Sequence, residues 1–170
     1  DIFDAKIKYG DGAMNLWSLE DGYNNYLATS PTGTATGFGA DIIIIDDVIK
    51  NADEANNAAV LDKHWEWFVN TMLSRLESNG KIIINMTRWH SNDLAGRALK
   101  ELPLSGYKVK HINFRAYDEK NDRMLCEDVL SYEDYQRKVK TMGADIASAN
   151  YQQEPIDIKG RLYGEFKTYS

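Results

Sequence analysis

Residues 41–50 read DIIIIDDVIK and residues 80–90 read GKIIINMTRWH, and these two stretches decide the fold. Ile42–Ile45 are continuously apolar rather than alternating, the pattern of a strand buried on both faces, as in a parallel α/β sheet. The predicted strand is Asp41–Asp46. From Asn51 to Leu76 the period becomes helical: Trp65, Phe68, Val69, Met72, Leu73 and Leu76 recur on one apolar face, and Asn51 with Glu54 forms a capping-box pattern. Asn79-Gly80 breaks the chain and introduces a second buried strand, Lys81–Met86. Strand, helix, strand of this length is a βαβ unit with a right-handed crossover.

Beyond this unit the pattern predicts a helix from about Asn92 to Leu102, a third strand near Val109–Phe114, and a helix from an N-cap at Ser131 to about Met142. Gly143 breaks that helix, a short helix runs to Tyr151, and YQQEPIDIKGRLYGEF reads as an extended exit segment. Before the unit, β-leaning runs at Ala5–Tyr9, Met14–Leu19 and Tyr26–Ala28 are separated by Gly10, Gly12, Asp21 and Gly22. The fold class is α/β, a mostly parallel sheet flanked by helices, in one domain.

Composition narrows the function classes. The chain has 170 residues, with 20 Lys plus Arg against 26 Asp plus Glu, a net charge of −6. Hydrophobic residues at 43% and charged residues at 27% are ordinary for a globular domain. The single cysteine, Cys126, excludes an internal disulfide framework and a Cys-rich zinc module, and His64, His90 and His111 share no ligand spacing. No apolar run approaches the ~18 residues of a membrane span, and DIFDAKIKYG lacks a signal pattern. The acidic balance puts any main grip on nucleic acid elsewhere; Lys108, Lys110 and Arg115, and then Arg137, Lys138 and Lys140, read as solvated faces. A start at Asp1 without Met and an end at KTYS are what a piece of a longer protein would show.

The chemistry-bearing feature is the acidic pair, Asp46 and Asp47, directly after the first strand. In open parallel sheets the ligand crevice lies beyond the carboxyl ends of the strands. Adjacent carboxylates repel, so a cation or basic partner is needed to keep both ionised. Mg²⁺ takes oxygen ligands and keeps several waters, so one or two carboxylates hold it beside a nucleotide's phosphates. An apolar strand followed by Asp and a second acid is a Walker B pattern, with Asp46 as the metal residue and Asp47 as the base that positions or deprotonates the attacking water. Thr87, at the end of the neighbouring strand, falls where a polar residue would sense a γ-phosphate. Each feature also has an ordinary reading: the acidic pair as a solvated turn or helix cap, Thr87 as a turn hydroxyl, Arg88 as a surface ion-pair partner.

Taken together, TGFGADIIIIDDVIKNADEA, HWEWFVNTMLSRLESNGKIIINMTRWHSNDLAGRAL and, more weakly, YQQEP at 151–155 resemble the ATPase region of phage terminase large subunits, the DNA-packaging motors. The match is tight over Thr36–Leu99. The resemblance implies a P-loop ATPase fold of the additional-strand type, with residues 1–155 a partial ATPase domain lacking its Walker A segment. Residues 156–170 would then be the linker towards an RNase H-like nuclease domain. It implies Mg²⁺ at Asp46, hydrolysis through Asp47, coupling through Thr87 and nucleotide contact through Arg88. Trp89, His90 and Asp93 share the signature without an assigned step, and Trp89 and Leu94 fit packing roles. The implied cofactors are ATP and Mg²⁺. The implied partners are double-stranded DNA, a portal protein, a small terminase subunit and further copies in a ring, in the bacterial host cytoplasm and transiently at the procapsid portal, with no membrane.

Three departures qualify the match. No G-x-x-x-x-G-K-[ST] occurs, so the phosphate loop is expected upstream of Asp1 or absent, and weak ATP binding is expected of this chain alone. The catalytic acid is Asp47 where many relatives have Glu. Gly37-Phe38-Gly39 stands where many relatives carry an Arg, which leaves Arg75 or Arg88 as available arginine fingers. Two other functions stand beside the motor. One is a two-metal nuclease drawing on Asp118, Asp122 or Asp128; the other is a non-catalytic prophage remnant or interaction module.

Overall fold

A computed structural model describes residues 4–22, 25–33 and 37–156. The chain divides into two compact units, Asp1–Gly39 and Ala40–Ser170. The expected exit segment lies, past Ile156, outside the described residues.

The first unit is a three-stranded antiparallel sheet in the order β1 (Ile7–Gly12), β2 (Leu16–Leu19) and β3 (Tyr26–Leu27). Trp17 and Tyr26 are cross-strand partners, and their rings stack with centroids 4.8 Å apart. All three strands overlap the β-leaning runs of the sequence, but β1 starts at Ile7 and continues through Gly10 and Gly12, the expected breaks. The strands are not parallel, because the short connections between them, residues 13–15 and 20–25, admit hairpins but no crossover.

The second unit is α/β. β4 (Ala40–Asp46) and β5 (Leu76–Asn85) pair in parallel, with Ile42 to Asp46 in register with Lys81 to Asn85. The connection is helical: α1 (Ala52–Ala55), then α2 (Ala58–Trp67), a π turn at Phe68–Met72 and a 3₁₀ turn at Leu73–Arg75. The expected single helix is thus divided. Asn57 starts a new one by accepting a bond from Ala59 N–H at 3.1 Å, an N-cap that satisfies an orphan donor of the first turn. The capping box does form: Asn51 Oδ1 accepts Glu54 N–H at 3.0 Å, and the Glu54 carboxylate returns to Lys50 N–H at 2.9 Å. The π turn turns Phe68 and Met72 inward, both buried, whereas Val69 is exposed rather than part of the apolar face.

Three expectations about the sheet are corrected. β5 begins at Leu76 rather than Lys81, and the Asn79-Gly80 break is a bulge inside it: the register jumps from Ala40↔Leu76 to Ile42↔Lys81, with Asn79 at φ 66°. β4 is buried on one face only. Ile43 and Ile45 are 8% and 4% exposed but Ile42 and Ile44 are 62% and 66% exposed, because strand side chains alternate and one face is left uncovered. Val109–Phe114 forms no strand. Residues 107–115 have no regular structure, and Ile112 and Phe114 are exposed; β propensity without a paired edge does not hold a strand.

The remaining elements are α3 (Leu94–Leu104), the two-residue strands β6 (Tyr117–Asp118) and β7 (Arg123–Met124), α4 (Tyr132–Met142) and α5 (Ala144–Asn150). β6 and β7 pair antiparallel, so the parallel part of the structure is β4–β5 alone among the described residues. Ser131 caps α4 by accepting Asp134 N–H at 3.1 Å, and Gly143, at φ 87°, ends it. A tyrosine cluster joins hairpin to helices, with Tyr117 and Tyr132 centroids 5.0 Å apart and Tyr135 and Tyr151 5.9 Å apart. No described helix is long and apolar enough to cross a membrane.

Candidate functional site at the carboxyl end of the parallel strands

Parallel pairing brings the sequence-predicted residues to one end of the sheet. Asp46 is the last residue of β4, in register with Asn85, the last of β5, and Thr87 follows two residues later. Asn85 ties both acids down. Its side-chain amide donates to Asp46 Oδ1 at 2.8 Å, and its carbonyl accepts Asp47 N–H at 3.0 Å. The sequence carried a signal for this: one amide ends the apolar run IIIN, at the register position opposite the first acid. Asp47 takes φ 44°, a left-handed turn that Asp and Asn tolerate better than other non-glycine residues. Both acids are exposed and Thr87 is half-buried.

The loop after β5 is organised around Asp93, whose side chain is fully buried. It is the N-cap of α3, with Oδ1 accepting Gly96 N–H at 2.8 Å. Its Oδ2 accepts Trp89 N–H at 3.0 Å and His90 N–H at 3.2 Å. Arg88 Nε donates to both oxygens, at 3.0 and 2.9 Å, while Arg88 Nη2 donates to the His90 carbonyl at 3.2 Å. A buried carboxylate is tolerated when it is paired and fully hydrogen-bonded, and this one is. The expected nucleotide contact, Arg88, is therefore held inside its own loop. The ordinary reading of Arg88 as an ion-pair partner is the one formed, but the pair is buried rather than at the surface; the trace of its partner in the sequence is an Asp at an N-cap position five residues after the Arg.

Gly96 is demanded by the same loop. A Cβ there would strike the Ser91 carbonyl oxygen and come within 2.7 Å of Arg88 Nη2. Trp89 packs with Val48 and Met86 against the buried cluster Ile49, Ala55 and Leu61, and Leu94 is buried, so both have the packing role expected of them. His90 Nδ1 accepts Asn92 N–H at 3.0 Å.

Arg75, the other available finger, precedes β5 and so lies at the opposite end of that strand from Asn85. Its Nε is buried without a hydrogen-bond partner among the described residues. Of the acids a nuclease would draw on, Asp118 accepts from Lys120 and Asn121 N–H, and Asp122 accepts the Tyr117 hydroxyl at 2.6 Å. Among the described residues no three His, Cys, Asp or Glu form a metal-holding group. Cys126 is exposed. Burial lowers the His64 pKa from its usual value, partly countered by Glu54.

No protein-family model matches the chain, and no curated protein matches it.

Proposed function

We propose that this chain is the Walker B half of the ATPase domain of a large terminase, and that its parent hydrolyses ATP to drive double-stranded DNA into a procapsid. The observation that carries the reading is the Asp46–Asn85 bond across two parallel strands, with Asp47 and Thr87 immediately beyond it. Ligands of open α/β sheets bind at this end. The uncovered face of Ile42, Ile44 and Ile83 fits a sheet that takes further covering helices, and the unpaired stretch 107–115 fits one that takes further strands at its edges, as a P-loop domain requires. The phosphate loop itself is not within the 170 residues.

The residues present fit Mg²⁺. Asp46 is exposed, and one of its oxygens is oriented by the Asn85 amide. A single carboxylate completed by waters and phosphate oxygens is a usual Mg²⁺ set. When bound, the ion neutralises charge on the phosphate oxygens. Asp47 is the base: it orients a water and takes its proton, from a backbone held by Asn85. Thr87 offers its hydroxyl beside that water and passes the state of the site into the loop organised by Asp93.

The test uses a longer parent that contains a G-K-[ST] loop. Asp47→Asn should abolish ATP turnover and preserve nucleotide binding in an equilibrium titration; turnover that survives sinks the assignment. The 170-residue chain, titrated beside the parent, should bind Mg·ATP far more weakly.

A further inference from the structure

The YQQEP stretch, residues 151–155, has so far no role, yet its side chains reach two distant parts of the second unit. Gln152 meets the backbone of Tyr117: its Oε1 accepts the N–H at 3.2 Å and its Nε2 donates to the carbonyl at 3.1 Å. Glu154 pairs with Arg115. Gln153 reaches further back along the chain, to a residue 65 positions earlier, where its Oε1 accepts Arg88 N–H at 3.0 Å. Its Nε2 donates to the Asn150 carbonyl at 2.6 Å, at the end of α5.

We propose that Gln153 is a positioning residue for Thr87: its amide, anchored on α5 through Asn150, fixes the Thr87–Arg88 peptide at the end of β5. The Arg88 N–H belongs to the planar group that also contains the Thr87 carbonyl, so holding one holds the other. Asp93 fixes Trp89 and His90 N–H and the Arg88 side chain, but not this peptide. Gln153 supplies that remaining support. It does so from φ 58°, a left-handed backbone that costs a glutamine energy and would suit glycine. A residue serving only the turn would be better as Gly, which has no amide to reach Arg88. The consequence for hydrolysis rests on the function proposed above; the placement of the Thr87 peptide does not.

Amide hydrogen exchange on the 170-residue chain separates the two. In Gln153→Ala and Gln153→Gly the Arg88 amide should exchange about tenfold faster, the loss of one ordinary hydrogen bond, while Trp89, His90 and Gly96 amides keep their protection. Gln153→Glu retains an acceptor and should restore slow exchange at Arg88. Gln153→Gly relieves the backbone, so it keeps the fold if Gln153→Ala does not. Unchanged Arg88 exchange in the Gly variant, or equal loosening of Trp89 and Gly96, overturns the proposal. In the longer parent, Gln153→Ala should lower kcat for ATP and leave KM in place. An exchange effect without any effect on kcat upholds the positioning and counts against the hydrolytic reading alone.

Discussion

Two aspartate sites lie close in the fold and are built in opposite ways. At the end of β4, Asp46 and Asp47 are exposed; the Asn85 amide donates to the Asp46 side chain, and the Asp47 N–H donates to the Asn85 carbonyl. In the loop after β5, Asp93 is completely buried and accepts from three backbone amides and a guanidinium. The same side chain therefore serves two ends. Saturated and dry, it fixes a loop; open to water, it leaves most of its acceptor capacity to solvent. A charged group in the second condition contributes little to folding, which is the condition the proposed hydrolytic role asks of it.

The contrast is tested most sharply by removing the buried member. Asp93→Ala leaves the Arg88 guanidinium and three amides without their acceptor and should cost about 3–5 kcal/mol, read from urea unfolding; a loss below about 1 kcal/mol would show that the loop is not organised by this carboxylate. Gly96→Ala intrudes on Ser91 and Arg88 in the same loop and should cost about 1–3 kcal/mol, measured the same way, with wild-type stability as the result that contradicts the contact.

Asp122 stands between the extremes, exposed yet bonded to the Tyr117 hydroxyl. That bond, with desolvation and the Asp122 charge, raises the Tyr117 pKa above its usual value. The folded state then holds this proton more tightly than the unfolded chain, so the stabilisation is present below about pH 10 and fades as pH rises from there towards the raised folded value. Wild type should lose stability above that pH more steeply than Tyr117→Phe, and parallel profiles would contradict it. The smallest effect belongs to the exposed pair. Asp46→Asn and Asp47→Asn should each change stability by within about 0.5 kcal/mol, Asn being equally tolerant of the left-handed turn at position 47. A larger loss would make these acids structural and remove the contrast.

What the sequence disclosed, and what it hid, follows from the range of the interactions. Strand–helix–strand over residues 41–86, the Asn51 and Ser131 caps and the Gly143 break were legible because each is written in a few consecutive residues. The restart at Asn57 was legible in principle, in the Asn56-Asn57 pair, and was overridden by the helical period around it. The failure of Val109–Phe114 to form a strand was not legible, since a strand exists only with a partner edge and propensity does not report edges. At the candidate site the acids and Thr87 were found by local pattern, whereas Asn85 acts across β4–β5 and Gln153 across 65 residues. The supports of a site are long-range even where its chemistry is local.

The reciprocal pair of bonds between Gln152 and Tyr117 carries one more consequence. β6 is two residues long, and its outward backbone groups would ordinarily offer a template on which a strand from another molecule could grow. A glutamine amide can present an N–H and a C=O side by side as a peptide group does, and here Gln152 places them on the N–H and carbonyl of Tyr117. The Tyr117 groups that would pair with an added strand are thereby held by a side chain, and the neighbouring Ala116 N–H is held by the Tyr151 carbonyl, so residues 151–152 take the place of a strand along this edge.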